Sequence, residues 1–211
     1  MRLYTLLLCA LFGFNLTAQS TTQAENLLRQ LSAEIKSQNN IRLDFSYVLE
    51  NKKEKIKQES EGKVTLEGER YKLNFLEGIL LFDGQKLYTI VPENEEITIS
   101  LPEDEEDLAF NPQELLNFYE KGYAYEWDIS QRVMGRNIQY IKLHPAEDNE
   151  DLKYLLLGID TDKMQMYRLI EIGKNGTTTT LTIKSQENNI SLPKSYFEFN
   201  AKAYPNYYIN Q

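Results

Sequence analysis

Residues 41–49 read Ile41-Arg42-Leu43-Asp44-Phe45-Ser46-Tyr47-Val48-Leu49, with large apolar side chains at every second position from Ile41 onward. The residues Arg42, Asp44 and Ser46 between them are polar. Alternation with a period of two places one face of a β-strand against an apolar interior and the other in water. The pattern therefore predicts a half-buried strand.

Further strand-like runs follow, separated by turn signals. The alternation recurs at residues 71–75, and Asp83-Gly84 is a tight hairpin signal between two apolar runs. A turn at residues 92–95 then leads into another short apolar alternation at residues 97–99. We expect an antiparallel meander with one apolar face.

Two helices are predicted around this meander. Thr22 and Glu25 form a capping box, and apolar residues at helical spacing follow, which predicts an amphipathic helix over residues 22–37. A second helix is predicted from Asn111, as N-cap, to Gly122. Its apolar residues include Leu115, Leu116 and Phe118.

The second half of the chain returns to strands. The candidates are residues 123–129, 138–143, 154–159, 164–172, 177–185 and 196–199. About ten or eleven antiparallel strands with two helices predict a mainly β (α+β) fold, in which a strongly curved sheet closes toward a barrel and the helices pack inside it or over its mouth.

The N-terminus predicts export. Residues 1–18 have a short basic start, an apolar stretch too short to span a membrane, and a small-residue cleavage site after Ala18. We therefore expect a signal peptide over residues 1–18, one domain over residues 19–211, and a periplasmic location. Residues 6–9 also resemble a lipobox ending at Cys9, which would make the protein itself a lipoprotein, but apolar residues continue past Cys9.

Composition narrows the function classes. Cys9 is the only cysteine, so the mature chain has no disulfide, thiolate nucleophile or Cys-based metal site. Cleavage leaves 22 basic residues against 32 acidic ones, a net charge of −10, which argues against nucleic acid and against permanent residence on an anionic membrane. We expect only transient membrane contact and a monomer.

Enzyme chemistry has little support in the sequence. His144 is the only histidine, and no Gly-x-Ser-x-Gly nucleophile motif exists, so we interpret His144 as a solvent-facing turn residue. Asp160 and Asp162 lack the further ligands of a calcium loop and predict a polar hairpin turn. The acidic residues 103–107 are interpreted as a solvated loop. We predict no catalytic residue, metal site or cofactor.

The order of these elements carries a family resemblance over the whole mature chain. Its parts are the leading helix, Leu43-Asp44-Phe45, residues 60–64, 81–88 and 90–92, the helix at Asn111, the hairpin at 173–176, and Phe197-Glu198-Phe199 followed by Tyr204-Pro205. In this order and spacing the chain resembles the LolA family, the periplasmic carriers that escort lipoproteins to the outer membrane.

The resemblance implies an incomplete barrel of about eleven strands, with helices as a lid over an apolar cavity for acyl chains. Its best-studied members also carry an arginine, after the first hairpin, that helps to hold the lid. The nearest position here is Glu67, with Arg70 three residues later. The family also implies loading by an inner-membrane lipoprotein-releasing ABC transporter and leaves the outer-membrane acceptor unidentified.

The alternating faces and the second helix supply the predicted site residues. The predicted cavity lining is Leu43, Phe45, Tyr47, Leu73, Phe75, Tyr88, Tyr125 and Trp127, and the predicted lid residues are Leu115, Leu116 and Phe118. Three interpretations stay open: a lipoprotein carrier, a lipid-binding, glycolipid-binding or envelope-stress-sensing module on the same scaffold, and a barrel whose aromatic residues simply fill its core.

Overall fold

The computed structural model describes residues 15–101, 112 and 114–210. One α-helix within these residues, α1 (Asn15–Lys36), precedes twelve strands. The strands are β1 (Ile41–Asn51), β2 (Ile56–Glu67), β3 (Arg70–Phe75), β4 (Gly78–Phe82), β5 (Leu87–Val91), β6 (Glu96–Ser100), β7 (Tyr123–Val133), β8 (Arg136–Pro145), β9 (Leu152–Asp160), β10 (Gln165–Gly173), β11 (Thr177–Asn188) and β12 (Tyr208–Asn210).

All twelve strands form one curved, open sheet in the order β12-β6-β5-β4-β3-β2-β1-β11-β10-β9-β8-β7. Sequential strands pair antiparallel, and β1 joins the two halves by pairing with both β2 and β11. The prediction of a mainly β, incomplete barrel is confirmed. The exception to antiparallel pairing is β12, which runs parallel to β6.

Helix α1 packs on the inner face of the sheet, which is the face that carries Leu43, Phe45, Leu73 and Leu157. These residues form one apolar cluster with the buried helix residues Ala24, Leu27, Leu28 and Leu31. The spacing of these four residues places them on one stripe of the helix, so burial against the sheet stabilises both elements.

The C-terminal segment covers part of the opposite, outer face of the sheet. Leu81 and Tyr88 are buried there beneath Phe197, and the Tyr88 ring stacks on Phe199 with centroids 4.5 Å apart. The sheet is therefore apolar on both faces in this region, as expected for strands covered on both sides.

Two helix predictions need correction. Helix α1 begins at Asn15 rather than at Thr22, because the residues before Thr22 contain no proline or glycine to stop the helix. In place of the second α-helix the described residues form two 3₁₀ turns, Glu114–Leu116 and Phe118–Glu120. Asn117 lies between them with φ −137° and ψ −4°, which is not helical, so a continuous helix cannot pass through it.

The strand predicted at residues 196–199 is also wrong. This segment contains turns in which Tyr196 N donates to Pro193 O (2.9 Å) and Glu198 N to Ser195 O (3.1 Å). Its aromatic side chains dock on the outer face without a neighbouring strand. The strand that does form near the C-terminus, β12, was not predicted. The signal sequence before residue 15, the acidic residues 103–107 and Asn111 lie outside the described residues.

Candidate functional site

Burial on the inner face changes along the strands. In β1, Leu43 and Phe45 are buried, whereas Tyr47 and Leu49 are only half-buried. The same change occurs from Leu73 to Phe75 in β3 and from Leu181 to Thr179 in β11. The inner face is therefore filled at one end and open at the other.

The filled end contains α1 and the two 3₁₀ turns, which we call the cover segment (residues 114–120). Leu115, Leu116 and Tyr119 of the cover segment are buried in the same cluster as α1 and the sheet. Burial raises the pKa of the Tyr119 phenol to about 12. The cover segment thus contributes ordinary core contacts at this end.

Three polar contacts attach the cover segment to its neighbours. Lys36 Nζ of α1 lies 2.7 Å from Glu120 Oε1, and Ser32 Oγ donates to Tyr119 Oη at 3.3 Å. The Tyr125 hydroxyl donates to the Tyr119 carbonyl oxygen at 2.7 Å. The hydrogen bond from Lys36 holds the pKa of the Glu120 carboxyl below its usual value.

The open end is lined by half-buried aromatic residues. The Tyr47 and Phe75 rings meet edge to face at 5.3 Å, and Phe118 meets Tyr123 in the same way at 6.3 Å. A recess of about 770 Å³ lies here between the cover segment and residues 145–152, and Leu152 forms part of its wall.

The predicted lining residues divide between these two ends. Leu43, Phe45 and Leu73 belong to the filled end, where they are at most 2% exposed. Tyr47, Phe75, Tyr125 and Trp127, together with the predicted lid residue Phe118, are half-buried and pack against the edge of that core.

Tyr88 does not join the inner face. Its register partner across the β4–β5 hairpin is Leu81, and both pack with Phe197 on the outer face. The Tyr88 hydroxyl donates to Asp83 Oδ2 (3.0 Å). Both parities of the run Ile79–Phe82 are apolar, so alternation alone could not show which face turns inward.

Glu67 and Arg70 also lie on the outer face. They are register partners across the β2–β3 hairpin and form an ion pair there, with the Arg70 guanidinium 5.0 Å from the centre of the Phe197 ring. This pair is directed away from the cover segment, so it cannot hold that segment against the inner face. The contacts of Lys36 and Tyr125 hold it instead.

The remaining candidate chemistry is structural. His144 lies within β8, not in a turn as predicted, and its Nε2 lies 2.9 Å from Glu126 Oε2 on the surface. Asp160 accepts from the backbone N–H groups of Asp162 and Lys163, as a polar turn requires. No group of three or more metal-ligating side chains occurs in the described part of the chain. No described helix is long and apolar enough to cross a membrane.

The sequence identifies the family to which this fold belongs. A family model described as outer membrane lipoprotein carrier protein LolA matches residues 36–200, which is most of the chain. The chain belongs to the LolA family. This is a family of carrier proteins, and the open, curved sheet with an inner helix is its fold. A sequence search of functionally curated proteins gives no match.

Solved structures show the same fold at low identity. A structure of an uncharacterized conserved protein from Thermus thermophilus has a TM-score of 0.56 and 9% identity, covering 89% of this chain and 98% of that one. LprF from Mycobacterium bovis has a TM-score of 0.52 and 10% identity, covering 83% and 98%. At such identities these likenesses support the LolA-type fold alone.

Proposed function

We propose that this LolA family member is a periplasmic carrier that binds the acyl chains of lipoproteins and shuttles them from the inner to the outer membrane. An acyl chain of about 16 carbons costs on the order of 10 kcal/mol to expose to water, at about 0.8 kcal/mol per methylene. A carrier must therefore cover that chain with apolar surface and release it again.

The observation that carries the proposal is the change of burial along the inner face. Tyr47 and Phe75 present apolar surface at the open end, continuous with the buried Phe45, so an acyl chain can extend the existing core rather than create a new one. A fold with only a structural role would bury these aromatic residues as completely as it buries Phe45.

The cover segment is the proposed lid. Leu115 and Leu116 are buried in the closed state, and Phe118 reaches the open end. Its polar attachments are few: an ion pair with one exposed partner, Lys36, and the hydroxyl contacts of Ser32 and Tyr125. Exposed ion pairs contribute little, so the segment can detach without unfolding the sheet.

Export and partners belong to the same proposal. Residues 1–18 act as a signal peptide, and the carrier domain is residues 19–211. Cargo is loaded by an inner-membrane lipoprotein-releasing ABC transporter. The protein acts as a monomer that only transiently contacts membranes.

Native mass spectrometry of protein purified gently from the periplasm of its own host tests this function. We expect a mature N-terminus at or near Gln19 and a co-purifying mass of an acylated protein. A Leu116→Glu variant should stay folded yet lose that mass, because a charge at this buried position destabilises the closed state. A diacylated Cys9, or an empty wild-type protein that also fails to bind a palmitoylated peptide, would contradict the proposal.

A further inference from the structure

One cross-strand row of the inner face contains a carboxylate. The register partners that form this row are Leu49 (β1), Thr179 (β11), Glu171 (β10), Leu155 (β9), Leu143 (β8) and Tyr125 (β7). Five of the six side chains are uncharged, and Glu171 is the exception. Because side chains alternate between faces, Glu171 points to the same side as its neighbours Leu155 and Thr179.

The adjacent row of the inner face carries no charge. Its members are Tyr47, Leu181, Leu169, Leu157, Ile141 and Trp127. Successive residues on one strand face are about 7 Å apart. Glu171 therefore lies within one side-chain length of a continuous apolar surface, on the side of the open end.

The surroundings of Glu171 are those of a group inside a hollow. The side chain is exposed to solvent, yet the surrounding protein raises the pKa of its carboxyl by desolvation. Its charge in turn helps to raise the pKa of the half-buried Tyr123, which forms part of the recess next to the cover segment. Within the described residues no cation pairs with Glu171.

We propose that Glu171 binds a positively charged amine that the acyl cargo carries close to its chains. This inference rests on the proposed carrier function and names the chemistry of the headgroup. The acyl chains would lie along the apolar row, and the ammonium would form an ion pair with the carboxylate at the open end. Such an ion pair is strengthened in a partly enclosed, low-dielectric site.

Two natural molecules supply this chemistry. A diacylated lipoprotein has a free α-amine on the cysteine that carries its lipid, and an aminophospholipid such as phosphatidylethanolamine has an amine beyond its phosphate. A lipoprotein whose terminal amine is itself acylated lacks the charge. Glu171 would therefore select among acylated ligands by the state of this amine.

The test compares two dipalmitoyl-cysteine peptides, one with a free amine and one with an acetylated amine, by calorimetric titration of the mature protein. At pH 6.5 an ordinary α-amine is largely protonated. We expect wild-type protein to bind the free amine about three- to tenfold more tightly, as for one partly enclosed ion pair. Glu171→Gln should bind both peptides equally, with the affinity for the acetylated peptide unchanged.

A matched control and a lipid comparison complete the design. Glu61→Gln removes the same charge from an exposed position on the outer face of β2 and should keep the preference. Phosphatidylethanolamine and its N-acetyl form, as monomers, make the second ligand pair. A Glu171-dependent preference in either pair supports the inference, and the stronger preference identifies the source of the amine.

The failures are distinguishable. If neither peptide nor lipid binds wild-type protein, the carrier proposal itself fails. If the ligands bind but wild-type protein shows no preference, or if the preference survives Glu171→Gln, only the role of Glu171 is overturned.

Discussion

The Phe45 ring lies directly over Gly62 on the neighbouring strand. A Cβ atom at Gly62 would lie 2.3 Å from Phe45 Cζ, closer than any real contact allows. The glycine thus leaves the space that lets Phe45 lie flat on the inner face and meet Phe75 at 5.4 Å. This contact stands at the boundary between the filled and the open end of the inner face.

Gly62→Ala should therefore move Phe45 and destabilise the protein by about 1–3 kcal/mol, as overpacked cores do. Urea unfolding measures the loss. Gly78→Ala is the matched control, since its new Cβ would have nothing closer than 3.6 Å. Adding Phe45→Leu to Gly62→Ala should recover part of the loss; equal losses for the two glycine variants would contradict the account.

Truncation of the inner-face aromatic residues should separate stability from binding. Phe45→Ala removes a fully buried ring and should reduce the free energy of unfolding by about 3–5 kcal/mol. Phe75→Ala removes a half-buried ring and should cost less stability but weaken binding of a palmitoylated peptide. Equal stability losses, with binding unchanged in Phe75→Ala, would show that both rings are ordinary core.

The attachments of the cover segment should control its opening. In the mature protein, which lacks cysteine, an environment-sensitive dye on Asn117→Cys reports the segment, since Asn117 is exposed. Lys36→Met with Tyr125→Phe should increase dye exposure and speed peptide release, with a loss of about 1–2 kcal/mol from one exposed ion pair and one hydrogen bond.

The matched control for the cover segment is Arg70→Met. It breaks an ion pair with Glu67 on the outer face and should leave the dye signal and the release rate unchanged. Faster release in Arg70→Met than in the Lys36 and Tyr125 variant would restore the family's arginine latch and contradict the assignment made here.

The same dye should respond to acid. Lys36 lowers the pKa of Glu120 in the folded protein from the ordinary value of 4.5. The stabilisation is therefore fully present above about pH 4.5 and is lost as the pH falls through the lower, folded-state pKa. Dye exposure should rise as the pH falls below 4.5, and Glu120→Gln should abolish that rise; an unchanged rise would place the responsible group elsewhere.

The strands were predictable from the sequence because alternation is a local property. Leu43, Phe45 and Tyr47 lie on one face, as their spacing predicts. Faces could not be matched between strands in the same way, because that depends on pairing register. Tyr88 follows a run that is apolar at both parities, and its true partners, Leu81 and Phe197, are set by a hairpin register and a segment more than 100 residues away.

The cover segment and Glu171 show two other limits. Leu115, Leu116 and Phe118 fit a helical spacing, but isolated short helices are only marginally stable, and here tertiary contacts favour two 3₁₀ turns. Glu171 is visible in the sequence as one of many acidic residues. Only its register partners, Leu155 and Thr179, place it on the inner face.

The most direct test of the carrier site is collisional quenching by a brominated acyl chain. The chain has a single tryptophan, so Trp127→Phe provides a silent background for one new tryptophan at a time. Phe75→Trp places the reporter at the open end of the inner face, and Phe199→Trp places it on the outer face. A peptide with bromine on its palmitoyl chain should quench Phe75→Trp saturably and leave Phe199→Trp unquenched. Binding that quenches only Phe199→Trp, or neither reporter, would contradict an acyl site on the inner face.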